Sequence, residues 1–114
     1  NIHIKDMVRI YKFFLDNQVK PGNYNAGFEN ISILNIAKLV QEFIPSEIVV
    51  TKSNDPRSYR QDSSKLLQIG FEQKFGVKDA IRDIKEMYAL GKLEDKENYY
   101  TVKWMKRLKL EQKK

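Results

Sequence analysis

The sequence predicts an α/β chain: a helix-rich lobe with a small sheet of three or four short strands. Three observations predict it. Apolar residues recur at helical spacing in three long stretches, near residues 7–15, 33–44 and 80–90. Glu47-Ile48-Val49-Val50-Thr51 is a β-branched run of strand character. Glycine and proline fall between these stretches and not within them.

In order, Asn1 to Lys5 alternates around Ile2 and Ile4, which suits a short strand. Asp6 is placed to cap a helix whose inward stripe is Met7, Ile10, Tyr11, Phe14 and Leu15. Pro21-Gly22 follows its end, and Tyr24-Asn25-Ala26-Gly27 reads as a second extended piece, its glycine permitting a bend or a close approach. Ser32 opens a second helix with the stripe Ile33, Ile36, Ala37, Val40, Phe43 and Ile44, and Pro45 ends it. The strand-like run 47–51 leads into a turn, and Asp62 then caps a short helix that Gly70 closes. Phe71 and Phe75 read as loop residues. Gly76 or its neighbour opens a long helix facing inward through Ala80, Ile81, Ile84, Met87, Tyr88 and Leu90, with Gly91 at its end. A polar bridge, 95–100, precedes a last helix carrying Val102, Trp104, Met105 and Leu108 before a lysine-rich end that frays.

The 114 residues suit a single domain, 1–114, with one modest core. With no cysteine, disulfide and thiolate chemistry are excluded, and a cytoplasmic setting fits. No apolar run approaches the roughly 20 residues of a membrane span, so no membrane partner is expected. A start at Asn1 is expected of a processed product, an excised domain or a gene fragment. The net charge of +6 is a property of the tail: residues 103–114 hold six basic side chains against Glu111 alone, and the rest of the chain is close to neutral. Trp104 among lysines could serve a nucleic-acid or membrane surface, although a solvated amphipathic helix is the plainer reading.

The stretch with most chemical content is Ser53 to Asp62. Pro56 makes Asn54-Asp55-Pro56-Arg57 a tight turn. If Arg57 to Gln61 then runs as a strand, Arg57, Tyr59 and Gln61 share one face and Ser58 and Arg60 the other. Guanidinium groups and a carboxylate on a turn suit an anionic ligand, because arginine presents a planar fork to phosphate oxygens and aspartate accepts from a hydroxyl or base. By the residues alone, a surface turn with solvated arginines takes precedence. Elsewhere the chemistry is thin. His3 is the lone histidine, with no carboxylate cluster at metal-ligand spacing. The five glycines are scattered, so no phosphate-cradling loop exists and the chain alone holds no dinucleotide.

Several blocks resemble, in order, the C-terminal part of an extended short-chain dehydrogenase/reductase of the NAD-dependent epimerase/dehydratase family. Ile2-His3-Ile4-Lys5-Asp6-Met7 is similar to that family's "(F/I)HVxDV", Tyr24-Asn25-Ala26-Gly27 to its "YNVG", and Ser32 to Ala37 to its "SIxEIA". Asp55 to Lys65 is similar to "DPRxYxxDxxK", Ile69 to Ile81 to "LGFxPKxxVxDGI", and Tyr99 to Trp104 to a terminal "YYTVKW". The resemblance implies an enzyme that acts on a nucleotide sugar, by epimerisation or dehydration, through bound NAD. The Rossmann half, with the glycine fingerprint and the catalytic Ser/Thr and Tyr/Lys groups, lies outside this chain, which covers roughly the last third. Tyr-x-x-x-Lys does occur twice, at Tyr88 and Lys92 and at Tyr99 and Lys103, but Gly91 interrupts the first and the second is remote from any nicotinamide turn.

The resemblance therefore implies a substrate-recognition lobe that is inactive alone, with no catalytic group of its own. By position, Asp55 fits the residue that meets the nucleoside. The diphosphate-binding arginine falls near Lys52, a departure that makes Arg57 the preferred phosphate ligand, and Asn25 is a further candidate. The implied partners are a nucleotide sugar and either the missing Rossmann half or a second copy over the exposed face. The alternative is an independent interaction module whose basic tail engages nucleic acid or an acidic partner.

Overall fold

A computed structural model describes residues 1–52 and 58–108. It divides into two units, Asn1–Ile84 and Lys85–Lys114. The first holds α1 (Ile4–Asp16), α2 (Ile33–Phe43), the short α3 (Ser64–Gln68) and most of α4, which runs Val77–Ala89. The second holds the end of α4, a 3-10 turn at Glu97–Tyr99, and α5 (Thr101–Arg107).

In the first unit α1 is capped by His3, whose Nδ1 accepts from the Lys5 amide at 3.1 Å. The imidazole takes the capping task that the sequence offered to Asp6, and it can do so because its backbone is extended there. Ser32 caps α2 as expected, accepting from Asn35 N at 3.2 Å. Asp62 serves the start of α3 through its Oδ1, which accepts from the Ser64 amide at 2.9 Å and from the Ser64 hydroxyl. Gly70, at φ +97°, follows α3 in the left-handed region that only glycine enters freely. At α4 the carboxylates of Glu29 and Asp79 accept from the first amides, Val77 and Gly76, answering the donors that every helix start leaves unmatched.

The core gathers Ile10 of α1, Leu66 of α3 and Phe71, with Phe13, Phe14, Tyr24 and Phe28 packed around them. Phe71 is central: Phe28 stacks on it at 5.8 Å and Phe13 meets it edge-on at 5.7 Å. Residues read from sequence as loop thus form the middle of the core. The helical stripes are only half used. Ile10 and Phe14 of α1 pack inward, whereas Tyr11 and Leu15 join Ile4 and Val8 on a second apolar face that stays exposed, Leu15 by 86%. On α4, Ile81 is buried, and Ile84 and Tyr88 are exposed, as is Leu90 just beyond its end.

The expected sheet of three or four short strands is absent: no strand forms among the described residues. Of the segments expected as strands, 1–5 runs into α1 at Ile4, and 24–27 and 47–51 lack a continuous backbone neighbour, without which no strand exists. Asn1 meets 28–29 twice through its main chain, Phe28 N donating to Asn1 O and the Asn1 ammonium donating to Glu29 O, each at 3.0 Å. Otherwise side chains substitute for the ladder. The Asn30 amide pairs with the Gln61 backbone in both directions, at 3.0 Å each. The run 47–51, β-branched though it is, leaves Val49 and Val50 exposed.

Within the second unit α4 closes on a Schellman motif. Lys92 N donates to Met87 O at 3.0 Å and Gly91 N to Tyr88 O at 2.9 Å, with Gly91 at φ +65°. Tyr100 donates its hydroxyl to Asp95 at 2.8 Å, and that hydrogen bond to a carboxylate raises the phenol pKa. Arg107 pairs with Glu97 across the 3-10 turn.

Candidate functional site

The candidate loop leaves the described residues at Lys52 and returns at Ser58. Of the residues that follow, 61–63 are bonded to 25–30. Three side chains stitch the two together. Asn25 Nδ2 donates to Asp62 O at 3.2 Å. Ser63 Oγ accepts from Gly27 N at 2.8 Å and donates to Gly27 O at 3.0 Å. Asn30 holds Gln61 as above. Gly27 is where side-chain absence matters, because a Cβ there would fall 2.1 Å from Gln61 Oε1.

Between the two segments lies a polar cleft of about 240 Å³, lined among others by Asn30, Gln61, Asp62, Ser64 and Gln73. Carboxamides and hydroxyls of this kind recognise hydroxyl-rich molecules by paired donors and acceptors. Asp62 is the one charged group of that set, and its hydrogen bond from the Ser64 hydroxyl, then that from the Ser64 amide, lowers its pKa.

Of the candidate residues, Asp55 and Arg57 lie outside the described residues, as does the turn built on Pro56. Lys52, on the upstream side, is exposed. Asn25 is exposed too, but its amide is committed to the Asp62 carbonyl, which makes it a brace for the segment that follows the turn. Tyr59 and Arg60 are exposed.

Sequence reasoning passed over the most interconnected polar group in the first unit. Asp6 is fully buried, and its Oδ2 accepts from Lys74 N at 3.0 Å and Phe75 N at 2.9 Å. Arg9 pairs with Asp6, donates to Glu72 O at 3.0 Å and lies over the Phe71 ring at 5.2 Å. The only hint was a carboxylate directly ahead of an apolar stripe, where a charge must find partners or stay out. His3 is also buried, with Nε2 3.3 Å from Asp83. Asp83 pairs with Lys5 at 2.6 Å, and that bond first, then the charges of Lys5 and His3, lowers its pKa against the opposing effect of burial.

Among the glycines, Gly27 is approached by Gln61 and Gly76 by the Glu29 carboxylate, whereas Gly70 and Gly91 meet nothing within 4 Å. No group of three or more His, Cys, Asp or Glu side chains converges as metal ligands would among the described residues. Among them, too, no helix is long and apolar enough to cross a membrane.

No family model matches the chain, and no solved structure matches it. Among curated proteins it is similar to dihydroflavonol 4-reductase of Dianthus caryophyllus, with 34% identity over 85 residues. The similarity covers 68% of this chain and 23% of the reductase, so the chain spans about a quarter of the relative's length. This distant relationship supports kinship at the level of the short-chain dehydrogenase/reductase superfamily.

Proposed function

We propose that the chain is the substrate-recognition part of a longer reductase-like enzyme, and that its loop 52–62 meets the diphosphate and nucleoside of a nucleotide sugar. The observation that carries this reading is the similarity to one short portion of a reductase. Supporting it, the segment after the loop is braced at Asp62, Ser63 and Gln61 beside a polar cleft, so the loop is mounted on a fixed base. Arg57 contacts phosphate, Asp55 accepts from the nucleoside, and Lys52 adds positive charge. NAD and the catalytic groups belong to the remainder of the enzyme. That remainder covers the bare face Ile4, Val8, Tyr11 and Leu15 of α1, which is too apolar to be left in water.

Titration of the chain with UDP-glucose and dTDP-glucose, followed by amide NMR, tests this. Shifts are expected at Gln61, Asp62 and the Asn30 side chain, with weak affinity because most of the pocket lies elsewhere. Arg57→Ala should weaken binding roughly tenfold or more, the effect of losing a hydrogen bond to charge. Unchanged affinity in that variant, or no shifts even after adding the Rossmann half of a complete homologue, would overturn the assignment. The relative's name favours a second reading, in which the recognised molecule is a dihydroflavonol. Shifts in the same residues on adding a dihydroflavonol, with none from either nucleotide sugar, would select it.

A further inference from the structure

We infer that the polar cleft between residues 27–30 and 61–64 takes the sugar itself, a neutral hexose, and that Asp62 excludes hexuronates from it. This inference rests on the nucleotide-sugar reading above and says which part of that ligand lies where. At about 240 Å³ the cleft is smaller than the roughly 300–1,000 Å³ of pockets for drug-sized ligands, which suits one ring and not a whole nucleotide. Its lining divides by chemistry. Phe28 and Leu67 offer an apolar wall to the C–H face of a ring, and Asn30, Gln61, Asp62 and Gln73 offer polar groups to its hydroxyls. Phe28 is fixed in place by its stacking on Phe71.

Hydrogen bonds within the fold spend some of these groups and leave others. Both serine hydroxyls donate inward, Ser63 to Gly27 O and Ser64 to Asp62 Oδ1. Asn30 gives its Oδ1 and one N–H to the Gln61 backbone and keeps its second N–H. Gln73 donates from Nε2 to Phe75 O, which leaves its Oε1 and another N–H. Gln61 is bonded through its backbone alone among the described residues, so its carboxamide is unspent. Asp62 accepts both Ser64 bonds at Oδ1 and has Oδ2 to offer. Amide N–H groups beside such oxygens match vicinal hydroxyls, each of which both donates and accepts. A phosphate presents acceptors and negative charge, which Asp62 repels, so the diphosphate stays at the loop and the ring enters the cleft. Asp62 is also the selective group. The Ser64 hydroxyl and amide favour its ionised form. The neighbouring Lys65 is turned to Asn23 O at 2.9 Å and does not pair with it. Such a carboxylate accepts from hydroxyls and repels the carboxylate of a hexuronate.

NMR titration of the intact chain with UDP, UDP-glucose and UDP-glucuronate tests this. UDP-glucose should shift the side-chain amides of Gln61 and Gln73, and UDP should not. UDP-glucose should also bind at least about fivefold more tightly than UDP-glucuronate, the cost of two like charges about 4 Å apart even in water. Gln61→Ala keeps the backbone brace and the Asp62 charge; it should weaken UDP-glucose roughly fivefold and leave UDP unchanged. Asp62→Asn preserves the bond that serves the start of α3, since asparagine caps as well as aspartate, and should bring the two sugar nucleotides to equal affinity. Circular dichroism verifies that both variants keep the fold. Equal affinity for the two sugar nucleotides in the parent chain overturns the inference, as does a preference that survives Asp62→Asn. UDP binding as tightly as UDP-glucose, with no shift at Gln61 or Gln73, overturns it too, while the loop's contact with the diphosphate and nucleoside stands. Binding of none of the three overturns both.

Discussion

Asp6→Ala should cost the first unit about 3 kcal/mol or more. The substitution leaves the amides of Lys74 and Phe75 without the carboxylate they now reach at 3.0 and 2.9 Å. Each buried donor left unmatched costs roughly 1–3 kcal/mol. Arg9 adds little, because its side chain is 31% exposed and its charge can turn to solvent. The loss is large against the 5–15 kcal/mol typical of a whole domain. At about 4–8 °C per kcal/mol for a chain of this size, the thermal midpoint should fall by more than about 12 °C. Asp6→Asn should fall between parent and Ala, since a carboxamide oxygen can still accept from one amide while its NH₂ faces another donor. Urea titrations of the three proteins, followed by circular dichroism, measure the effect. A loss below about 1 kcal/mol for Asp6→Ala would refute the reasoning, showing that solvent or a shifted loop satisfies the two amides as well as Asp6 does.

Ser63→Ala removes a buried hydroxyl that serves both polar groups of Gly27; a loss of about 1–3 kcal/mol and faster hydrogen exchange at the Gly27 amide are expected. Asp83 has its carboxyl pKa lowered, chiefly by Lys5, so its contribution is present above the ordinary value of 3.8 and is lost as pH falls through the depressed folded value. Melting curves should therefore separate parent from Asp83→Asn near neutrality, and the separation should shrink once the pH falls below 3.8 and vanish below the depressed folded value. Val8→Glu and Leu15→Glu on the bare face of α1 should change unfolding free energy by no more than about 0.5 kcal/mol. The same changes should reduce any self-association seen by light scattering, and an unchanged scattering signal would show that this face is not the one used.

The helices were legible because their signals are local. Ser32 capped α2 as its side chain requires, and Gly70 and Gly91 both took positive φ at helix ends. What could not be read was which part of each apolar stripe has something to pack against. Tyr11 and Leu15 obey the same spacing as Ile10 and Phe14, yet the core ends between them. Around the candidate site, Asn25 was legible as a residue of interest but not as a brace, because its partner, Asp62 O, is 37 residues away. Arg57 and Asp55 fall outside the described residues, so their part rests on the sequence pattern.

By itself, the sequence settled the positions where a short-range preference meets no competitor: the Ser32 cap of α2, the stops at Gly70 and Gly91, and the tail that carries the charge. Tertiary structure alone decided whether extended segments become strands. Pairing is a property of two backbones at once, and here Asn30 and Ser63 occupy the polar groups of Gln61 and Gly27 that a neighbouring strand would have used. It also decided the fate of Asp6, read from sequence as a cap and found as the buried anchor of residues 74 and 75, because only the folded chain brings those amides to its carboxylate.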